Sequence, residues 1–323
     1  MSNFKRLMNR HTWSISAVTL LAAALTFFTV PAQATQSPQS AGATHAASPA
    51  NELISTHRAP GITGSSAAAQ LSARQTKAHR ANHYAALQGA QGPAKSTAAA
   101  AIPRHQFWAV SPSGAPAPTG AYATHSVLPS FRTSHSPDVI YAPTLYPAGN
   151  ACIENTTAYF TSKAEIWAWD WCNGQTVGKF TLMDSAFLST YVQNGGYRVW
   201  IRQTDTTANT WEMLLYNFTT SAWDSYYTSS GQDPNNPSGT NVHGWDAFEV
   251  YSDTDPSTAQ PYICADTQGL TFSASSMQQM ENGVWHLLSP SDSTTYTPGI
   301  IFGCSNLTVA VVNPNYTWRV TNP

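Results

Sequence analysis

Charged side chains are scarce in this 323-residue chain, at 10% of all positions, and Lys+Arg (15) nearly balance Asp+Glu (17). The near balance hides a segregation. Residues 138–323 carry five Lys/Arg against sixteen Asp/Glu, whereas residues 35–137 carry seven Lys/Arg against Glu52 alone. An acidic C-terminal part repels phosphate backbones, so nucleic acid is not expected as a partner. Cysteine is limited to Cys152, Cys172, Cys264 and Cys304, with no Cys-x-x-Cys pair. The histidines that follow residue 138, His243 and His286, are far from those cysteines in sequence, so no metal is expected. No glycine-rich phosphate loop occurs, and no Gly-x-Ser-x-Gly elbow accompanies either histidine. Nucleotide chemistry and a Ser-His-Asp triad are therefore not expected, nor is any cofactor. Beyond Val30 no apolar run is long enough to cross a bilayer.

The amino terminus carries a targeting pattern. Lys5, Arg6 and Arg10 precede an apolar run from Ile15 to Val30, and Ala32-Gln33-Ala34 supplies small residues for a cleavage site. Residues 1–34 are expected to be a signal peptide, with Thr35 opening a secreted, extracellular chain. A membrane anchor fits less well, because the run is short for a span and stops at Pro31. Residues 35–137 are rich in Ala, Ser, Thr, Pro, Gly and Gln, with seven histidines at irregular spacing. Such a composition buries too little apolar surface to offset chain entropy. A disordered linker or pro-segment is the expectation, and its histidines are read as a solvated polar tract.

From residue 138 to 323 the texture becomes short alternating segments set between Gly, Pro, Asn, Asp and Ser, which predicts an all-β domain. Strands are expected over 156–160, 164–171, 176–181, 198–205, 210–218, 222–228, 245–252, 262–265, 270–275, 284–288, 300–302 and 306–312. Twelve short strands suit a two-sheet antiparallel sandwich or jelly roll. The strands flanking Asn217-Phe218-Thr219-Thr220-Ser221 read as a hairpin. Four cysteines in an exported chain argue for two disulfides. Of three possible pairings, Cys152–Cys172 and Cys264–Cys304 are favoured because each closes a short stretch of neighbouring strands.

Two segments carry the candidate chemistry. In Glu165-Ile166-Trp167-Ala168-Trp169-Asp170-Trp171 the two-residue period of a strand puts Glu165, Trp167, Trp169 and Trp171 on one face. Three indoles on one face either fill a core or form a platform for stacking sugar rings. With small residues opposite them, the platform is the expected reading, joined by Trp245 and Tyr251. The expected function is thus binding of a polysaccharide or glycan without catalysis. In Trp245-Asp246-Ala247-Phe248-Glu249-Val250-Tyr251, Glu249 lies among aromatic residues. The alternative is a secreted hydrolase in which Glu249, with Glu165 or another polar residue, acts on a glycosidic or peptide bond if the strands are neighbours. Asp253-Thr254-Asp255 has too few further ligands for a calcium loop and reads as solvated turn carboxylates.

Through these aromatic-lined strands the domain resembles concanavalin A-like and jelly-roll carbohydrate-binding domains. A second resemblance is to glutamic peptidases of the eqolisin type, secreted β-sandwiches made with a pro-segment. The hairpin at Asn217-Phe218-Thr219-Thr220, followed by the Trp245 to Glu249 strand, is similar to theirs. That resemblance implies Glu249 as the catalytic carboxylate. The glutamine partner it also implies has no marked position, and Gln193 and Gln203 are the candidates.

Overall fold

The computed structural model describes residues 49, 52–63, 104–112, 118–234, 244–289, 293–296, 303–313 and 316–323. The expected signal peptide lies outside the described residues, as does the expected strand over 300–302. The strands are β1 (Ile54–Arg58), β2 (Ile62–Thr63), β3 (Arg104–Pro112), β4 (Gly120–Ser126), β5 (Val139–Tyr146), β6 (Ile153–Tyr159), β7 (Ala164–Asp170), β8 (Thr176–Leu182) and β9 (Val192–Gln193). They continue as β10 (Gly196–Asp205), β11 (Thr210–Asn217), β12 (Ala222–Ser230), β13 (Trp245–Ser252), β14 (Leu270–Glu281), β15 (Val284–Leu287), β16 (Ser293–Tyr296), β17 (Thr308–Asn313) and β18 (Thr317–Asn322). Two short helices interrupt them, α1 (Ser185–Tyr191) and α2 (Ile263–Asp266).

The strands form a two-sheet sandwich. One sheet runs β1-β12-β11-β10-β4-β14-β18-β17, with β9 on β10 and β15 on β14; the other runs β16-β3-β13-β5-β6-β7-β8-β2. Among the described residues every strand pairing is antiparallel except β1 with β12. The all-β expectation holds, and its hairpin is β11–β12, where Asn217 Oδ1 accepts the Thr219 and Thr220 N–H groups. Asn194-Gly195 and Asn282-Gly283 turn the chain between β9 and β10 and between β14 and β15 with positive φ at both residues. That conformation matches strand twist, which is why Asn-Gly is favoured there. Both favoured disulfides are present, Cys152–Cys172 and Cys264–Cys304. The expected strand over 262–265 is instead α2: Pro261 precedes it and Tyr262 has helical φ/ψ. Helix α1, which strand alternation did not reveal, starts at Asp184, whose carboxylate accepts the Phe187 N–H at 2.9 Å.

The domain boundary at residue 138 is not observed. β3 and β4 come from the segment expected to be disordered, and both are interior: β3 lies between β16 and β13, and β4 between β10 and β14. Residues 52–63 belong to the sandwich too, because Glu52 accepts the Trp223 indole N–H at 2.8 Å and pairs with Arg198. The compact unit runs from Ala46 to Pro323.

Where the sheets face each other, apolar side chains enclose a polar chain of contacts. His125 on β4 meets Asp246 on β13 at 3.0 Å and the Tyr197 hydroxyl at 3.1 Å. Asp246 also accepts the Trp318 indole N–H at 2.7 Å, and Tyr197 donates to Asn155 at 2.7 Å. All five of these side chains are buried, so pairing offsets the desolvation each group suffers. Tyr227 lies against Gly178, where any Cβ would overlap its ring, and its hydroxyl donates to Asp170 at 2.8 Å.

Burial of phenols makes this sandwich sensitive to alkali. Desolvation pushes the Tyr159, Tyr191, Tyr197, Tyr226 and Tyr227 hydroxyls well above the ordinary tyrosine range, and at Tyr191 and Tyr227 the neighbouring carboxylates Asp224 and Asp170 add to it. Their folded-state values exceed the unfolded value near about 10, so their contribution to stability is complete below it and is lost as pH rises further. In a titration followed by phenolate absorbance, these five tyrosines should ionise only together with the loss of near-ultraviolet circular dichroism. Ionisation of every tyrosine near pH 10 with the fold intact would contradict the burial.

Candidate active site

Strand β13 alternates Trp245, Ala247, Glu249 and Tyr251 on the face turned away from the first sheet, and Asp246, Phe248 and Val250 towards it. Antiparallel register places Phe107 of β3 opposite Glu249, and His105 opposite Tyr251. The Glu249 carboxylate is fully buried, with His105 Nε2 2.8 Å from Oε1 and the Tyr251 hydroxyl donating to the same oxygen at 2.7 Å. The His105 and Tyr251 rings stack at 4.3 Å, and Tyr141 of β5 meets Tyr251 edge-on. Two polar groups on one carboxylate oxygen fix the orientation of the acid, and stacking fixes the groups that hold it. Such an assembly is suited to a carboxyl that exchanges a proton with a bound reactant.

Glu165 stands on the same face but is not a partner. Cross-strand register runs Glu249, Tyr141, Ala158, Glu165, so β5 and β6 intervene, and strand spacing puts the two backbones roughly 14 Å apart. Their carboxylates do not lean together. Glu249 turns to His105 on β3, while Glu165 takes the Lys163 ammonium and the Trp167 indole N–H, each at 2.8 Å. The glycosidase geometry of two carboxyls about 5 to 9.5 Å apart is not formed by this pair. Nor do the expected glutamines serve: Gln193 on β9 is exposed, and Gln203 on β10 donates to Asn209, both in the other sheet.

The aromatic platform is not exposed. Trp167, Trp169 and Trp171 are 0%, 0% and 1% exposed, and Trp245 and Tyr251 are equally enclosed. Trp171 packs edge-on against Trp169 and Trp245, and Tyr146 packs against both Trp171 and Trp245. Rings this enclosed offer no face to a sugar unless the chain covering them moves, and the equally enclosed Glu249 needs the same movement before it can reach a substrate. The physical cause is area: so many aromatic rings on one sheet face would leave a large apolar patch in water, and covering it is favourable. Replacing Trp169 with Ala should therefore cost about 3 to 5 kcal/mol of folding stability. Denaturant melts of that variant check this; an unchanged midpoint would restore the exposed reading.

His105 escaped the sequence reading because it lies in the segment expected to be disordered. A signal was present, since Phe107-Trp108-Ala109-Val110 is a short apolar run of the kind a buried strand shows. Asn155, an Asn-x-Thr position, is fully buried and accepts from Tyr197, whereas Asn306 is exposed.

No protein-family model matches the chain, and no curated protein does. Among solved structures, scytalido-glutamic peptidase with a peptide-based transition-state analogue is similar at 12% identity and a TM-score of 0.42, over 68% of this chain and 100% of that one. SCP-B, a member of the eqolisin family of peptidases in complex with the tripeptide Ala-Ile-His, is similar at 13% identity and a TM-score of 0.40, over 68% and 100%. At this level of similarity no residue role passes from either protein to this chain.

Proposed function

We propose that this domain is a hydrolase of extracellular polypeptides in which Glu249 is the acid/base group. The observation that carries the reading is a single buried carboxylate fixed by His105 and Tyr251, with no second carboxylate on the strands that flank it on that face. A glycosidic bond needs two carboxyls. An amide can be cleaved with one: the Glu249 carboxylate takes a proton from water as the water oxygen attacks the carbonyl carbon, and returns that proton to the amide nitrogen as the C–N bond breaks. Products are a new carboxyl and a new amine. His105 and Tyr251 act as positioning residues, keeping the carboxyl in one rotamer through both transfers. Two disulfides are compatible with an oxidising, extracellular setting, and the signal-like pattern of residues 1–34 supports that reading.

The full-length chain, incubated with denatured protein across acidic to neutral pH, should generate new amino termini. Polysaccharides assayed in parallel should release no reducing ends. Release of reducing ends without new amino termini would replace the peptidase reading with a glycosidase one, and neither product would remove catalysis altogether.

A further inference from the structure

A second cluster of polar side chains lies apart from Glu249, where the loop joining β4 to β5 meets the end of β13. His135 Nδ1 is 3.2 Å from Asp138 Oδ1 and 3.8 Å from Asp253 Oδ2, and all three donor atoms lie within 4.8 Å of one another. We propose that His135, Asp138 and Asp253 form a binding site for one divalent transition-metal cation, Zn²⁺ being the best match to one imidazole and two carboxylates.

Four observations carry the assignment. Two carboxylates are held close together, and among the described residues His135 is the sole basic side chain within ion-pair distance of either. Two carboxylates therefore share one imidazole. Asp253 turns Oδ2 towards His135, and its other oxygen, Oδ1, is shielded from solvent with no hydrogen-bond partner among the described residues, so charge on this carboxylate is poorly compensated and a cation bound to it would ease that cost. The donors are also positioned in advance. Asp138 accepts from Ser252 Oγ at 2.6 Å and from the Asp253 N–H at 2.9 Å, and the His135 ring stacks on Tyr262 at 4.2 Å with an interplanar angle of 7°. Such supports fix ligand orientation in metal sites. Finally, bonds of about 2.0 to 2.2 Å in a tetrahedron put zinc ligands roughly 3.3 Å apart, so separations of 3.2 Å, 3.8 Å and at most 4.8 Å need shift by no more than about 1.5 Å. Asp138 is buried, but His135 and Asp253 are 33% and 21% exposed, which leaves a fourth position open to water.

The bound ion would tie the β4–β5 loop to the strand that carries Glu249, four residues before Asp253, and this holds whether or not Glu249 is catalytic. Zinc belongs here in preference to calcium, because an imidazole nitrogen is a poor calcium ligand and a good zinc ligand.

The full-length chain, freed of metal with a chelator, should take up one more equivalent of Zn²⁺ than His135→Ala or Asp253→Asn, with affinity at the lost site falling by well over about tenfold. Zn²⁺ should raise the melting temperature of the wild type by several degrees and shift neither variant comparably. Ca²⁺ and Mg²⁺ should leave the wild type unmoved. The difference between chains matters, since histidines elsewhere can also hold zinc. Should a variant fail to fold, Co²⁺ added to the wild type should give visible absorption of four-coordinate intensity. Equal uptake and equal stabilisation in all three chains, no such absorption, or stabilisation by Ca²⁺ alone would overturn the assignment.

Discussion

Glu249→Gln should remove turnover while leaving the fold in place. The amide is nearly the same size as the carboxylate, and its oxygen can still accept from Tyr251 and His105, which now sit 2.7 and 2.8 Å from Oε1. What it cannot do is carry a proton between water and the leaving nitrogen. Acid/base catalysis is worth about 10² to 10⁴ in rate, so kcat should fall by that factor with KM little changed. His105→Ala tests the positioning role. Because it leaves the acid itself intact, the loss should be smaller and should come with a shifted pH profile. A Glu249→Gln chain that melts like the wild type and retains full activity would remove Glu249 from the chemistry, and any such activity would have to be traced to another group.

A chain beginning at residue 138 should not fold. That truncation deletes β3 and β4, which are interior in their sheets, so β13, β16, β10 and β14 each lose a hydrogen-bonded neighbour. It also removes Phe107, Trp108, Tyr122 and Ala123 from the core, and His125 from Asp246. Breaking a buried charged pair by removing one partner costs about 3 to 5 kcal/mol, and losing a buried Trp costs about as much again. Together these exceed a small domain's usual margin of about 5 to 15 kcal/mol once the lost strand pairing is added. The fragment should show flat near-ultraviolet circular dichroism and rapid proteolysis, whereas a chain beginning at Ala46 should melt cooperatively. A cooperative melt from the shorter fragment would mean that β3 and β4 are dispensable.

Strand alternation was legible because it is a local property. The grouping of Trp167, Trp169 and Trp171 along one strand, that of Glu249 with Tyr251 along another, and the β11–β12 hairpin all follow from spacing along short stretches of chain. β3 and β4 were not legible in the same way. They are brief apolar runs inside Ala-, Ser- and Pro-rich sequence, and their pairing with strands 70 or more residues away supplies the stability their own composition lacks. His105 and His135 went unread for the same reason, since a histidine in a polar tract means nothing until its neighbours are known.

Chain composition and period by themselves determined the fold class and which side chains share a strand face, because strand geometry repeats every two residues, whereas the cysteine pairing was one of three that they left open. Only the tertiary structure decided which faces are covered, that Glu249 meets His105 and not Glu165, and that His135 meets Asp253. Those outcomes depend on strand order and register, which come from the free energy of packing two whole sheets together and leave no mark within any single strand.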